Sequence, residues 1–425
     1  MSHRVASLSA REILDSRGRP TLEVQLGLDR QPPVVAGVPS GASTGSREAV
    51  ERRDGDASRY GGAGVSSVVA TVEGEIAEAV VGKTWASLAD LDAALCALDG
   101  TPNKARLGAN AIVGVSMAAA RAFAAHDDLP LYRWLTPAGY EPRMPVPHFN
   151  VINGGVHAAN DLDFQEFLLA PLGAPTFREA LRAGAEVYAA LRTLLQQRGY
   201  ATALGDEGGF APALTTATDA LDLMVAAIEA AGYRPGIDGV AIALDPAASE
   251  LRQSDGRYRI GDRCLSPAEL VDELALLVDR YPIWSVEDGV GEDDDEGWAL
   301  LTARLGDRVQ VMGDDNLVTN PGIIAEAIAR GTGNAALLKV NQVGTVTETL
   351  AAVDLCRQAG YGAMVSHRSG ETTDAFIADL AVAIGCGQIK SGAPARGERV
   401  AKYNRLSAIE AGDPGLPFGF TRPAS

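Results

Sequence analysis

The sequence has little cysteine. Four residues, Cys96, Cys264, Cys356 and Cys386, are spread over 425 positions with no CxxC pair. Each sits in or beside an apolar stretch, so buried thiols and a reducing compartment are expected. Positive charge is also short: 37 Lys and Arg stand against 55 Asp and Glu, a net charge of −18. That imbalance argues against nucleic acid or an anionic membrane as a direct partner. An anionic substrate would require positive charge gathered locally, by Lys, Arg or a bound metal. The opening, MSHRVASLSAREIL, lacks the apolar run of a signal peptide, so a cytoplasmic location is expected. The most apolar helical stretch, 109–125, is rich in Ala and Gly and contains Arg121. It reads as a packed internal helix, not a membrane span.

The length is too great for one ordinary core and suits a barrel-sized domain plus a smaller one. The first 40 residues read as strands. In 21–28, Leu22, Val24, Leu26 and Leu28 share one face, and Asp15-Ser-Arg-Gly18 before them has turn chemistry, so a hairpin is expected. A third strand covers 34–38. Helical patterns follow near 65–81, 87–98 and 108–125. The proline-rich stretch 136–147 marks the boundary, giving an α+β domain over 1–135 and a second domain over 136–425. Beyond it, apolar runs alternate with punctuated helices. Ser266-Pro-Ala-Glu269 is a capping box, Asn320-Pro321 starts another helix, and Gly331, Gly232 and Gly360 are stops. Such alternation predicts a parallel sheet buried on both faces, with enough repeats to close an eight-strand barrel.

The chemistry lies at the ends of the apolar runs. Successive runs lead to Asp245, Glu287, Asp314, Lys339 and His367, at spacings of 42, 27, 25 and 28 residues, and a sixth leads to Lys390, 23 further on. One Asp after a strand is usually a cap or turn former. Six polar residues at consecutive strand ends instead predict one mouth, where barrel enzymes place their sites. Three carboxylates make a hard oxygen set suited to Mg²⁺. Two lysines near a divalent cation oppose one another's protonation, so one can act as base. His367-Arg368-Ser369 offers donors for phosphate. Together these predict metal-assisted proton abstraction beside a carboxylate of a phosphorylated substrate. Glu207 sits in the Gly-rich turn Gly205-Asp-Glu-Gly-Gly209. Gln165 and Glu166 are adjacent, so they face opposite ways if their strand is regular. His157, in a Gly-rich loop, reads on its own as a surface residue, and Gly41-Ala-Ser-Thr-Gly45 on its own as a turn.

The segments SGASTGSREAVE, GANAIVGVS, GDEGGFAP, SVEDG, GDDNLVTN, LLKVNQVGT, SHRSGET and QIKSGAPARGERVAKYN give the chain a close resemblance to bacterial enolases over more than nine-tenths of its length. The resemblance implies an α+β N-terminal domain followed by a variant α/β (TIM-like) barrel of enolase type, which starts with two strands and two helices. By that organisation, 201–204, a ninth candidate strand, is an excursion and not a stave.

The resemblance further implies reversible dehydration of 2-phosphoglycerate to phosphoenolpyruvate. Asp245, Glu287 and Asp314 are then ligands of a first Mg²⁺, and Ser43 holds a second that arrives with substrate. Lys339 is the general base and Glu207 the general acid, with Glu166 beside it. Gln165 and Lys390 meet the carboxylate, while His157, His367, Arg368 and Ser369 surround the phosphate and the closing loops. It implies a homo-oligomer, dimer or octamer. A paralogous reaction on a phosphonate or other hydroxy acid is the alternative. Added roles in a ribonuclease complex, or in plasminogen capture at the cell surface, are also known in the family. The sequence departs from the family pattern at Trp284, usually aliphatic, at Pro246, at Gly61-Gly62 and in the tail 412–425.

Overall fold

A computed structural model describes residues 2–42 and 44–420. The N-terminal part is a sheet in the order β3-β2-β1-β4, built from β1 (His3–Leu14), β2 (Pro20–Leu28), β3 (Val34–Gly37) and β4 (Thr84–Trp85). The expected hairpin is present: β1 and β2 pair antiparallel around Asp15–Arg19, with Gly18 at φ 71°. Alternation along β2 buries Leu22, Val24, Leu26 and Leu28. They pack on the helix Ala109–His126, which is buried almost all round. Its small residues have a steric reason, since a methyl at Gly114 would come within 2.6 Å of Val24. Among the described residues, no helix is long and apolar enough to cross a membrane. The helix expected over 65–81 forms but opens into a π turn at Val72–Ile76.

The remaining strands are β5 (Val146–Asn153), β6 (Glu166–Ala170), β7 (Ala241–Asp245), β8 (Tyr258–Ile260), β9 (Arg263–Leu265), β10 (Ile283–Glu287), β11 (Gln310–Gly313), β12 (Ala335–Leu338), β13 (Gly362–Ser366) and β14 (Gln388–Lys390). Eight close into a barrel in the order β10-β11-β12-β13-β14-β5-β6-β7, and β8–β9 form a separate hairpin. Two helices, Phe177–Gln197 and Ala217–Ala230, follow β6 before β7, which is the two-strand, two-helix start that the resemblance implied. The all-parallel expectation needs one correction. β6 runs antiparallel to both neighbours, because β5 returns directly through a loop and no helix crosses over between them. The segment 201–204 stays outside the barrel. The capping box at Ser266–Glu269 forms with Pro267 in the first turn, and Asn320 caps the helix that ends at Gly331.

Candidate active site

Because seven of the eight strands run the same way, their carboxyl ends gather polar residues at one mouth. Asp245, Glu287 and Lys390 close β7, β10 and β14, while Asp314, Lys339 and His367 follow β11, β12 and β13 by one residue. All but Lys339, which is nearly buried, are fully buried. Lys390 Nζ donates to Glu287 at 2.7 and 2.9 Å, to Glu166 at 3.0 Å and to Asp245 at 3.4 Å. Burial alone would lower the pKa of such a lysine, but these carboxylates raise it well above the usual range. They remain under-compensated: burial, then the Asp245 charge, pushes the Glu287 carboxyl well up despite Lys390.

Asp314 is gripped on both oxygens, by Lys339 Nζ and by Gln342 Nε2 at 2.9 Å. Burial opposes its ionisation, yet the Lys339 and Lys390 charges bring its pKa down. In return Asp314 outweighs both burial and the nearby cations at Lys339, whose pKa is raised. The neutral lysine expected beside a divalent cation concerns the metal-bound site, where positive charge would draw Asp314 away from Lys339. The three carboxylates expected to share a metal are drawn onto ammonium groups, Asp245 and Glu287 onto Lys390 and Asp314 onto Lys339. Behind them, Asp288 accepts the backbone N–H groups of Asp314 and Asp315 at 2.8 and 3.0 Å, fixing the loop after β11.

Glu207 lies on a buried turn whose glycines are sterically required. A methyl at Gly205 or Gly209 would stand 2.7 or 2.6 Å from Asn153 Oδ1. Glu207 Oε2 accepts from Asn150 Nδ2 at 3.0 Å and faces His367 Nε2 at 3.1 Å. Arg399 donates to His367 Nδ1 at 2.6 Å, so that nitrogen is the acceptor and the ring proton sits on Nε2, which is close to Glu207 but outside hydrogen-bond geometry. Burial lowers the His367 pKa to about 4. His157, expected at the surface, is buried, with Nδ1 3.5 Å from Glu166 and 3.8 Å from Glu207. Burial and the Glu207 charge push Glu166 well up, whereas His367, His157 and Arg399 overcome burial at Glu207 and lower it.

Gln165 and Glu166 line the same cleft and do not face opposite ways, because the regular strand begins only at Glu166. Arg368 is buried and forks onto Glu48, with Nη1 at 3.0 Å and Nη2 at 3.1 Å, and Nη1 also reaches Asn341 at 3.0 Å. A side chain at Gly41 would collide with that guanidinium. Ser369 Oγ accepts from the Ala42 N–H at 2.8 Å, tying the loop of small residues to the mouth. Ser43 lies outside the described residues.

The residues present fit a divalent cation and a polar ligand. Ligand atoms of His157, Glu166 and Glu207 lie within 4.8 Å of one another, and so, as a separate group, do those of Asp288, Asp314 and Asp315. The donors are mainly carboxylate oxygens, with no thiol among them. Gln165 Oε1 and His157 Nε2 are buried without a hydrogen-bond partner among the described residues, as expected of groups that meet a ligand. Sequence reasoning missed Glu48, Asn150, Asp288, Gln342 and Arg399. Asn150 carried the clearest signal, an amide in the middle of the buried strand VPHFNVIN.

A closed barrel whose buried mouth joins acid, amine and imidazole in this way defines an α/β-barrel enzyme that moves protons on an anionic substrate. The chain belongs to the enolase family. Residues 5–135 match "Enolase, N-terminal domain" and residues 141–413 match "Enolase, C-terminal TIM barrel domain". It is 57% identical over 408 residues to the enolase of Rubrobacter xylanophilus, covering 96% of this chain and 94% of the relative. Against the enolase of Beutenbergia cavernae the identity is 55% over 406 residues, covering 96% and 95%.

Proposed function

We propose that this mouth catalyses the family's hydro-lyase reaction, the reversible dehydration of 2-phospho-D-glycerate to phosphoenolpyruvate. One observation carries the reading: two lysines, three strand-end carboxylates and the Glu166–Glu207 pair converge on one buried cleft in a chain of this family. Lys339 removes the proton beside the substrate carboxylate, a step opposed by the second negative charge that it creates there. Asp245, Glu287 and Asp314 would hold the first of two Mg²⁺ ions and Ser43 the second, and such ions would supply positive charge where that charge grows. Lys390 and Gln165 orient the carboxylate. Glu207 protonates the departing hydroxyl, a poor leaving group as hydroxide, with Glu166 holding the shared proton and His157 and His367 shaping that side. Arg368 and Ser369 receive the phosphate. Residues 1–135 act as a cap on the barrel of 136–425. The protein works in the cytoplasm as a dimer or octamer.

The test is a coupled assay of phosphoenolpyruvate formation, first with Mg²⁺ and then with excess chelator. Rapid, chelator-sensitive turnover is expected. Lys339→Ala should abolish turnover while Mg²⁺ binding, followed by calorimetry, persists; a variant with near-normal activity would remove Lys339 from its role. High efficiency on 2-phosphoglycerate and none on a phosphonate hydroxy acid would eliminate the paralogous reaction. Recovery of a ribonuclease or of plasminogen with the bait would add a second role without touching the first.

A further inference from the structure

The other end of the barrel holds chemistry that the proposed reaction does not use. At the amino ends of β10 to β14 an open cavity of about 840 Å³ reaches the surface. Small-molecule sites typically measure about 300–1,000 Å³. Trp284, one of the departures from the family pattern, lines it and stacks on Phe420 of the divergent tail at 5.1 Å and 21°. The pairing of β10 with β7 slips between Ile283 and Ser285, at Trp284. Such an irregularity re-aims a side chain that regular alternation would have placed elsewhere. Trp284 Nε1 is buried with no hydrogen-bond partner among the described residues, although a buried indole N–H normally finds one.

The polar lining is unevenly matched. Gln310 and Gln388 satisfy one another, with amide contacts of 3.2 and 3.0 Å. The spare capacity is in donors. Arg143 gives one bond to the Gly419 carbonyl at 3.2 Å, and Arg357 gives one to the Gly139 carbonyl at 2.8 Å while lying 4.0 Å over the Tyr140 ring. Arg308 contacts Asp279 at 2.5 Å. Each guanidinium has five N–H groups to offer. Three arginines stand against Glu141 and Asp307 in the lining, an excess of one positive charge before the Asp279 partner of Arg308 is counted, so the rim is rich in donors and not in net charge.

We infer that this cavity is a second binding site, for a planar aromatic anion held by stacking on Trp284, by the indole N–H and by the arginine rim. A flat ring matches the half-buried Trp284–Phe420 stack that lines the cavity, an acceptor matches the orphan N–H, and an anion matches the arginine donors. The site lies at the opposite end of the strands from the catalytic mouth, so its occupant does not compete with substrate.

The probe is 8-anilinonaphthalene-1-sulfonate, titrated by fluorescence into the full-length folded protein. One blue-shifted site per chain is expected, displaced by a nucleoside monophosphate and not by 2-phosphoglycerate. Trp284→Leu should weaken probe binding about tenfold, the loss of one stack and one hydrogen bond, with kcat and KM for 2-phosphoglycerate unchanged. Arg308→Gln should weaken it about threefold. That surface change keeps the test decisive if Trp284→Leu does not fold. Equal affinity in the parent and Arg308→Gln, displacement by 2-phosphoglycerate, or equal binding of the analogue lacking the sulfonate would each overturn the assignment.

Discussion

His148 and His367 are kept neutral by burial, each with a pKa lowered to about 4 from an ordinary 6.5. A histidine whose folded pKa is depressed gives its full stability above the unfolded value. That stability is lost as the pH falls from about 6.5 to about 4, because only the unfolded chain takes up the proton. Glu166 and Glu287, whose pKa values are raised, act in the opposite sense, so total stability does not isolate one group. A difference does. His148→Gln removes the histidine penalty, so between pH 7.5 and pH 4.5 it should gain about 2–3 kcal/mol relative to the parent in urea unfolding. A pH-independent difference would refute the buried-neutral assignment. At this scale the site was legible wherever a polar residue ended an apolar run, as Asp245, Glu287 and Lys390 do. Arg399 and Glu48 escaped notice because a helix and a loop carry many charged residues, and only the fold selects the one that turns inward.

Secondary structure carries its own requirements. The turn that presents Glu207 is pressed against Asn153, and Gly209 has no space for a methyl group. Gly209→Ala should leave the fold intact by far-ultraviolet circular dichroism but cut kcat by about a hundredfold, because displacement of a catalytic group by an ångström is enough. A variant with parental kcat would show that the turn tolerates displacement. Helix starts at Ser266 and Asn320 could be read in advance, since capping is local chemistry. The direction of β6 could not. Its sequence, EFLLA, is as continuously apolar as the parallel strands, and burial on both faces says nothing of which way a strand runs.

The N-terminal sheet and the barrel are tied together by charge as well as by packing. Arg121 forks onto Asp374 at 2.5 and 2.6 Å, Lys104 meets Glu348 at 2.9 Å, and Asp92 caps the backbone of Thr347 at 3.1 Å. Unfolding followed by near-ultraviolet circular dichroism and by loss of activity should therefore trace one coincident transition. Separated midpoints would show that the two parts melt independently. One tie has a different kind of importance. Glu48, contributed from the N-terminal side, already occupies Arg368 with a bidentate carboxylate grip. If Arg368 receives the phosphate as proposed, an incoming substrate does not meet a waiting cation; it must evict a resident anion tethered to the same chain. Substrate affinity at this arginine thus reports a competition between two anions, one of them always present at a high local concentration.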